Sequence, residues 1–285
     1  VTVSRILVFV GAHPDDESFG VGGTLAQYAA AGVKVYYICG TRGEVGEVPP
    51  EMMQGFASVG DLRSHELQCA AEIIGLSDVI YLGYRDSGMA GTADNKHPRA
   101  LAFAPLEEVA GRIVAIFRRL KPQVVITFDP IGGYHHPDHV AIHNATVMAF
   151  KAAGNPQQYP EAGPAFPPQK LYFFVFPHRL LNFIVRVRSF FGQDIHHFGK
   201  NKDINLASFL KENFPVHAVI HLKKQSALTR DRAAACHASQ LYGGPRRLGL
   251  FELMRKLFGQ RDSFMRALPP VKGHRREHDL FKGVV

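Results

Sequence analysis

Cysteine is scarce in this chain, with only Cys39, Cys69 and Cys236 among 285 residues. No CxxC pair occurs, and three scattered cysteines make no disulfide framework. That argues against a stapled secreted scaffold and sets the expectation of a reducing, cytoplasmic setting. Long apolar runs are missing too. The longest, residues 171–191, is broken by Pro177, His178, Arg179, Arg186 and Arg188. It falls short of the roughly 20 residues that a spanning helix needs. The first apolar run, Ile6 to Val10, leads straight into polar residues, so no signal peptide is read there. No internal repeat and no nucleic-acid-binding signature occur, although the formal net charge is +8. The basic excess is spread over pairs such as Arg186/Arg188, Lys223/Lys224 and Arg246/Arg247, and reads as solvated surface. A nucleic-acid partner is not expected.

What is present suits a globular α/β protein: 46% hydrophobic and 20% charged residues, enough for a full core. Apolar runs rich in branched residues alternate with helical patterns over the first 150 positions. Strands are expected at Ile6–Val10, Val33–Cys39, Val79–Leu82 and Val124–Phe128. Helices are expected from Thr24 to Ala31, from an Asp61 N-cap to Ile74, from Pro105 to Leu120, and from Pro137 to about Ala153. This alternation predicts a Rossmann-like, mostly parallel sheet with helices on both faces. Residues 154–169 hold five prolines and read as an irregular connection. Beyond it, strands are expected at Lys170–Phe176 and Val216–Leu222, and a helix from Lys223 to Leu241. His178–Phe191 reads as a basic amphipathic helix, packed on the sheet rather than on a membrane. The chain is thus read as one domain over 1–285. Residues 1–153 carry the site, and residues 154–285 form a less regular elaboration around the substrate mouth.

In such folds ligands sit beyond the carboxyl ends of the strands. The loop after the first strand reads Gly11-Ala12-His13-Pro14-Asp15-Asp16-Glu17. An imidazole and three carboxylates this close together call for a positive partner. His13 and Asp16, three apart, are placed to share one ion in a turn, which leaves Asp15 free. The loop after the fourth strand carries Tyr134-His135-His136-Pro137-Asp138-His139. His139 completes a set of two imidazoles and one carboxylate, while His143 reads as a core histidine. That set, with a position left for water, suits catalytic zinc. It suits Fe2+ or another divalent metal by ligand type as well. Gly20-Val21-Gly22-Gly23 follows a strand but lacks the GxGxxG spacing, and the acids of residues 15–17 would repel a pyrophosphate.

The AHPDDE stretch at 12–17 and the HPDH stretch at 136–139 resemble the PIG-L/LmbE-like family of zinc-dependent N-acetylglucosaminyl deacetylases. Arg63 and Glu66, the run Arg85–Met89, and the Cys236–Gln240 segment resemble family segments as well. His97-Pro98-Arg99 is similar to a stretch of the mycothiol-pathway branch, which acts on a GlcNAc-inositol. The resemblance implies hydrolysis of an N-acetyl amide in a small-molecule amino-sugar conjugate. It implies zinc ligands at His13, Asp16 and His139, and a general base at Asp15. It implies an oxyanion-stabilising imidazole at His136 with Asp138 as its orienting partner, a mobile assisting tyrosine at Tyr134, and sugar contacts at Arg63 and Asp86. His135 competes with His136 for one of these roles, and the register of HPDH favours His136. An amidase acting on a larger N-acyl glucosamine conjugate and a non-catalytic metal-binding module are the other readings.

Overall fold

The computed structural model describes residues 4–175, 185–187, 189, 190, 213–241, 260–271, 273 and 275–285. Its centre is β1 (Ile6–Gly11), buried along its length after Ile6, as a strand covered on both faces should be. β2 (Lys34–Cys39) and β3 (Asp78–Tyr81) extend the sheet on one side of β1. β4 (Val124–Thr127) and β5 (Lys170–Phe174) extend it on the other. All five run parallel. β6 (Ala218–His221) and β7 (Arg261–Leu268) complete a seven-stranded sheet in the order β3-β2-β1-β4-β5-β7-β6. β7 is antiparallel to both of its neighbours.

The sheet is flanked by α1 (Asp16–Phe19), α2 (Gly22–Ala30), α3 (Val59–Ile74), α4 (Leu106–Leu120), the kinked turn α5 (Gly132–His135), α6 (Pro137–Ala152), α7 (Lys224–Cys236) and α8 (Ala238–Leu241). α2, α3 and α7 pack on one another, while α4 lies along α6. Right-handed crossovers place these two groups on opposite faces. One apolar core runs from Leu7 and Phe9 on β1 to Phe264 on β7 and Phe281 near the end of the chain. Strand order reverses at the β1/β4 pair, so their carboxyl ends open a crevice in which the two motif loops face each other.

Several expectations need correction. α3 begins two residues before Asp61, and its cap is Ser58, whose hydroxyl accepts from the Asp61 N–H at 3.1 Å. Asp61 is instead the third helical residue of a capping box, accepting from the Ser58 hydroxyl. The helix expected over 223–241 is broken at His237 into α7 and α8. β7 was not anticipated: Arg261, Asp262 and Arg266 disguise it, yet Asp262 is half-buried and accepts from the Thr24 N–H and hydroxyl at the start of α2. Cys69 and Cys236 form a disulfide, with Cα atoms 6.0 Å apart, because α3 packs against α7. A separation of 167 residues left that pairing invisible in the sequence. Cys39 is free and buried. The segment His178–Phe191 lies largely outside the described residues. Among those described, no helix is long and apolar enough to cross a membrane.

The connection after α6 is tied down by one side chain. Arg118 is buried and donates to the carbonyl oxygens of Ala153, Asn155, Gln158, Tyr159 and Gly163. Farther on, Lys170 donates to Glu277 at 3.0 Å and to the Lys282 carbonyl at 2.6 Å, which fastens the last residues to β5.

Candidate metal and catalytic site

The loop after β1 folds back on itself through Asp16. Its Oδ2 accepts from the backbone N–H groups of Ala12 and His13, both at 2.8 Å. Its other oxygen, Oδ1, faces the crevice and lies 3.4 Å from Nε2 of His139. Tyr37 on β2 donates its hydroxyl to the His13 carbonyl at 2.6 Å, which fixes the other side of the loop. Opposite, Gly132 lets the β4 loop pass close over α6. Its φ is 63°, and an added Cβ would stand 2.7 Å from the Cβ of His139.

Each imidazole is oriented by what its second nitrogen does. His139 donates from Nδ1 to the Gly132 carbonyl at 3.1 Å, which leaves the Nε2 lone pair facing inward. His13 donates from Nε2 to Asp138 Oδ2 at 3.1 Å, which leaves its Nδ1 lone pair facing inward. Those two nitrogens are 3.2 Å apart, and the backbone-bound Oδ2 of Asp16 lies 4.0 Å from the His13 nitrogen. Donors around a tetrahedral ion with bonds of about 2.0–2.1 Å stand about 3.3 Å from one another. With both rings neutral, two nitrogens at this distance repel unless a proton or a cation lies between them; ligand atoms of His13, His136 and His139 come within 4.8 Å of one another, so the residues present fit a divalent metal.

The electrostatics agree. Burial opposes a charge on His13, yet Asp86, Asp138 and Asp16 push its pKa well above the ordinary imidazole value. The pocket therefore demands positive charge. Asp86 is held below the usual carboxylate range: burial would raise it, but His13 at 3.5 Å prevails. His139 lies well below the ordinary value, through burial and the neighbouring His13.

His136 belongs to the same cluster. It is buried, its ring centroid is 4.6 Å from that of His13, and one of its nitrogens lies within 4.8 Å of a nitrogen on each of His13 and His139. Its Nδ1 accepts from the Asp138 N–H at 3.2 Å and caps α6, so a neutral ring carries its proton on Nε2. Burial, His13 and His139 hold its pKa well below the usual value, which keeps it a neutral donor. His135 points away and is exposed. Tyr134 is half-buried, with its ring edge-on to His139 at 5.1 Å and to His136 at 5.9 Å.

The remaining candidates sit at the back of the crevice. Asp15 faces Arg63, whose guanidinium donates to the Asp15 carboxylate at 3.0 Å and to the Pro14 carbonyl at 2.8 Å. Burial pushes the Asp15 carboxyl up to about 6, with Arg63 opposing. Asp138 orients His136 through its backbone N–H, whereas its carboxylate serves His13 and accepts from the N–H and hydroxyl of Ser87. That division of labour differs from the sequence reading, which gave the whole residue to His136. Arg63 and Asp86, read as sugar contacts, are both buried and already engaged, Asp86 by the Gly88 and Val45 N–H groups. Arg63 keeps one buried nitrogen, Nε, without a partner among the described residues. His143 is a core histidine, donating to the Phe128 carbonyl at 2.9 Å. Ser87, Glu17 and His237 escaped the sequence reading as individual functional residues, although each lies in a quoted motif.

A crevice of buried histidines and carboxylates at a topological switch point defines a candidate metal site on an α/β fold. The profile described as "PIG-L: GlcNAc-PI de-N-acetylase" matches residues 8–150. The "1D-myo-inositol 2-acetamido-2-deoxy-alpha-D-glucopyranoside deacetylase" of Geodermatophilus obscurus is 35% identical over 299 residues, covering 100% of this chain and 99% of that one. The chain belongs to the PIG-L family, and it is a hydrolase that removes an N-acetyl group. Among solved structures, the N,N'-diacetylchitobiose deacetylase of Pyrococcus horikoshii superposes with a TM-score of 0.64 at 17% identity, over 92% of this chain and 84% of that one. A 4-carboxy-2-hydroxymuconate hydratase from Pseudomonas putida KT2440 shares the fold with a TM-score of 0.58 at 17% identity, over 95% of this chain and 99% of that one. The fold alone therefore does not select the reaction.

Proposed function

We propose that this chain hydrolyses the N-acetyl amide of an N-acetylglucosaminyl inositol, releasing acetate and the free amino sugar. Zinc is the proposed metal, held by His13 Nδ1, Asp16 Oδ1 and His139 Nε2. When bound, zinc lowers the pKa of a water towards about 7 and polarises a carbonyl oxygen. The observation that carries this reading is the approach of His13 Nδ1 and His139 Nε2 to 3.2 Å, with Asp16 Oδ1 3.4 Å from the His139 nitrogen.

Asp15 is the proposed general base. It is the carboxylate of the loop that the ligand set leaves free, and Arg63 aims it into the crevice. A positioned base contributes about 10²- to 10⁴-fold. His136, neutral with its proton on the far nitrogen, is the proposed donor to the oxygen that gains charge as water adds to the amide. Tyr134 stands beside it as a second donor. Asp138 keeps both His13 and His136 in the required tautomers. Sugar contact is assigned to Arg63 through its spare Nε, and to Asp86, whose position beside His13 ties substrate placement to the metal.

The relative from Geodermatophilus obscurus supports the inositol conjugate as substrate, since it matches this chain over its whole length. The proposed setting is the cytoplasm, which predicts that Cys69 and Cys236 are found as thiols in cells and pair on oxidation. Metal analysis of purified protein, coupled to acetate release from N-acetylglucosaminyl inositol and from conjugates with bulkier acyl groups, tests the proposal. One zinc per chain with preferred release of acetate is expected. Faster cleavage of the bulky amides would make the chain a broader amidase.

A further inference from the structure

The backbone of Asp15 is the most unusual in the site. Its φ is 128° and its ψ −25°, a region that L residues rarely adopt. Such a conformation is strained and persists only where surrounding groups over-determine it. Here those groups can be named. The Asp15 N–H donates to Glu17 Oε2 at 3.0 Å, and its carbonyl accepts from the N–H groups of Ser18 and Phe19. Glu17 is fully buried. Its other oxygen accepts from the Ser18 hydroxyl at 2.5 Å and from Nε2 of His237 at 2.7 Å.

His237 comes from 220 residues away and is also fully buried. It lies in the break between α7 and α8, and α3 holds that break on both sides. Cys236 is bonded to Cys69 of α3, and Ser239 donates its N–H and its hydroxyl to Glu66 of α3, both at 2.7 Å. Arg63, one turn earlier on the same helix, grips the Asp15 carboxylate. α3 thus reaches Asp15 twice, directly at the side chain through Arg63 and indirectly at the backbone through His237 and Glu17.

We propose that His237, acting through Glu17, is a positioning residue that holds Asp15 in its strained conformation and so aims its carboxylate at the attacking water. This rests on the reading of Asp15 as the general base. Both His237 and Glu17 are fully buried, behind Asp15 rather than open to the crevice. Removing the imidazole leaves the buried Glu17 carboxylate held only by the Ser18 hydroxyl and the Asp15 N–H; as its hold loosens, Asp15 relaxes towards an ordinary β or α conformation that turns its carboxylate away.

The test uses the zinc-loaded full chain. His237→Ala is expected to lower kcat about 10- to 100-fold, the scale of a misplaced reacting group. KM and bound zinc should stay within about twofold of the parent. His237→Gln, which keeps an N–H near the position of Nε2, should recover most of the lost rate. Combined with Asp15→Ala, the His237→Ala change should cost nothing further, because the residue it positions is already gone. Should His237→Ala fail to fold, Glu17→Gln carries the same expectation of a kcat-selective loss. An unchanged kcat in His237→Ala, a loss that follows missing zinc, or full additivity with Asp15→Ala would overturn the inference. A fully active Asp15→Ala would instead remove the base assignment itself, so the two failures are distinct.

Discussion

The two halves of the sheet divide the labour unequally. β1 to β4 present the groups that face the crevice: His13, Asp15, Asp16, Asp86, Tyr134, His136 and His139. The segments from β5 onward place no described residue among those facing groups, yet they reach back to the first half at fixed points. Asp262 of β7 caps α2, Asp279 accepts from Tyr28, and His237 stands behind Glu17. The first half therefore holds the chemistry and the second half holds its geometry. A short motif can encode ligands, but a strained loop needs partners that come from far along the chain.

The sharpest test of this division lies in the first half. His139→Ala removes one of the three proposed ligands and should abolish stoichiometric zinc binding and with it turnover; metal analysis after dialysis checks it, and retained zinc would mean that the ligand set has been misread. Asp15→Ala should keep its zinc while kcat falls at least about 10²-fold. Ser87→Ala removes one of two Ser87 donors on the Asp138 carboxylate that steadies His13. A loss of about 10- to 100-fold in zinc affinity is expected, read by competition with a chelator. Asp262→Ala should behave differently. It leaves the Thr24 N–H and hydroxyl buried without an acceptor, costing about 1–3 kcal/mol in denaturant unfolding, with kcat of the folded protein unchanged. A selective fall in kcat there would erase the distinction between the two halves.

Most of the first half was legible in the sequence because local signals agree with the tertiary outcome. Val124 to Thr127 is apolar on both faces and ends at a dense run of histidines, so strand, loop and chemistry could be read together. The register of HPDH favoured His136 over His135, and burial separates the two in the same way. Less was legible where one side chain has two jobs. Asp138 serves His136 with its N–H and His13 with its carboxylate, and no spacing reveals which. β7 was hidden because Asp262 and Arg266 spend their polarity on partners in α2 and at Glu277, contacts that exist only after folding. The Cys69–Cys236 bond was hidden for the same reason, since only the packing of α3 on α7 brings its ends together.

Arg118 carries a consequence for how the molecule opens. A planar guanidinium that feeds five N–H groups into a ring of main-chain oxygens has no substitute in lysine, whose ammonium offers three donors from a single point. The proline-rich stretch it gathers looks like slack rope on paper, yet it is knotted to the interior. With its carbonyl oxygens held from inside, the stretch should offer a protease no early foothold, and Arg118→Lys should open one.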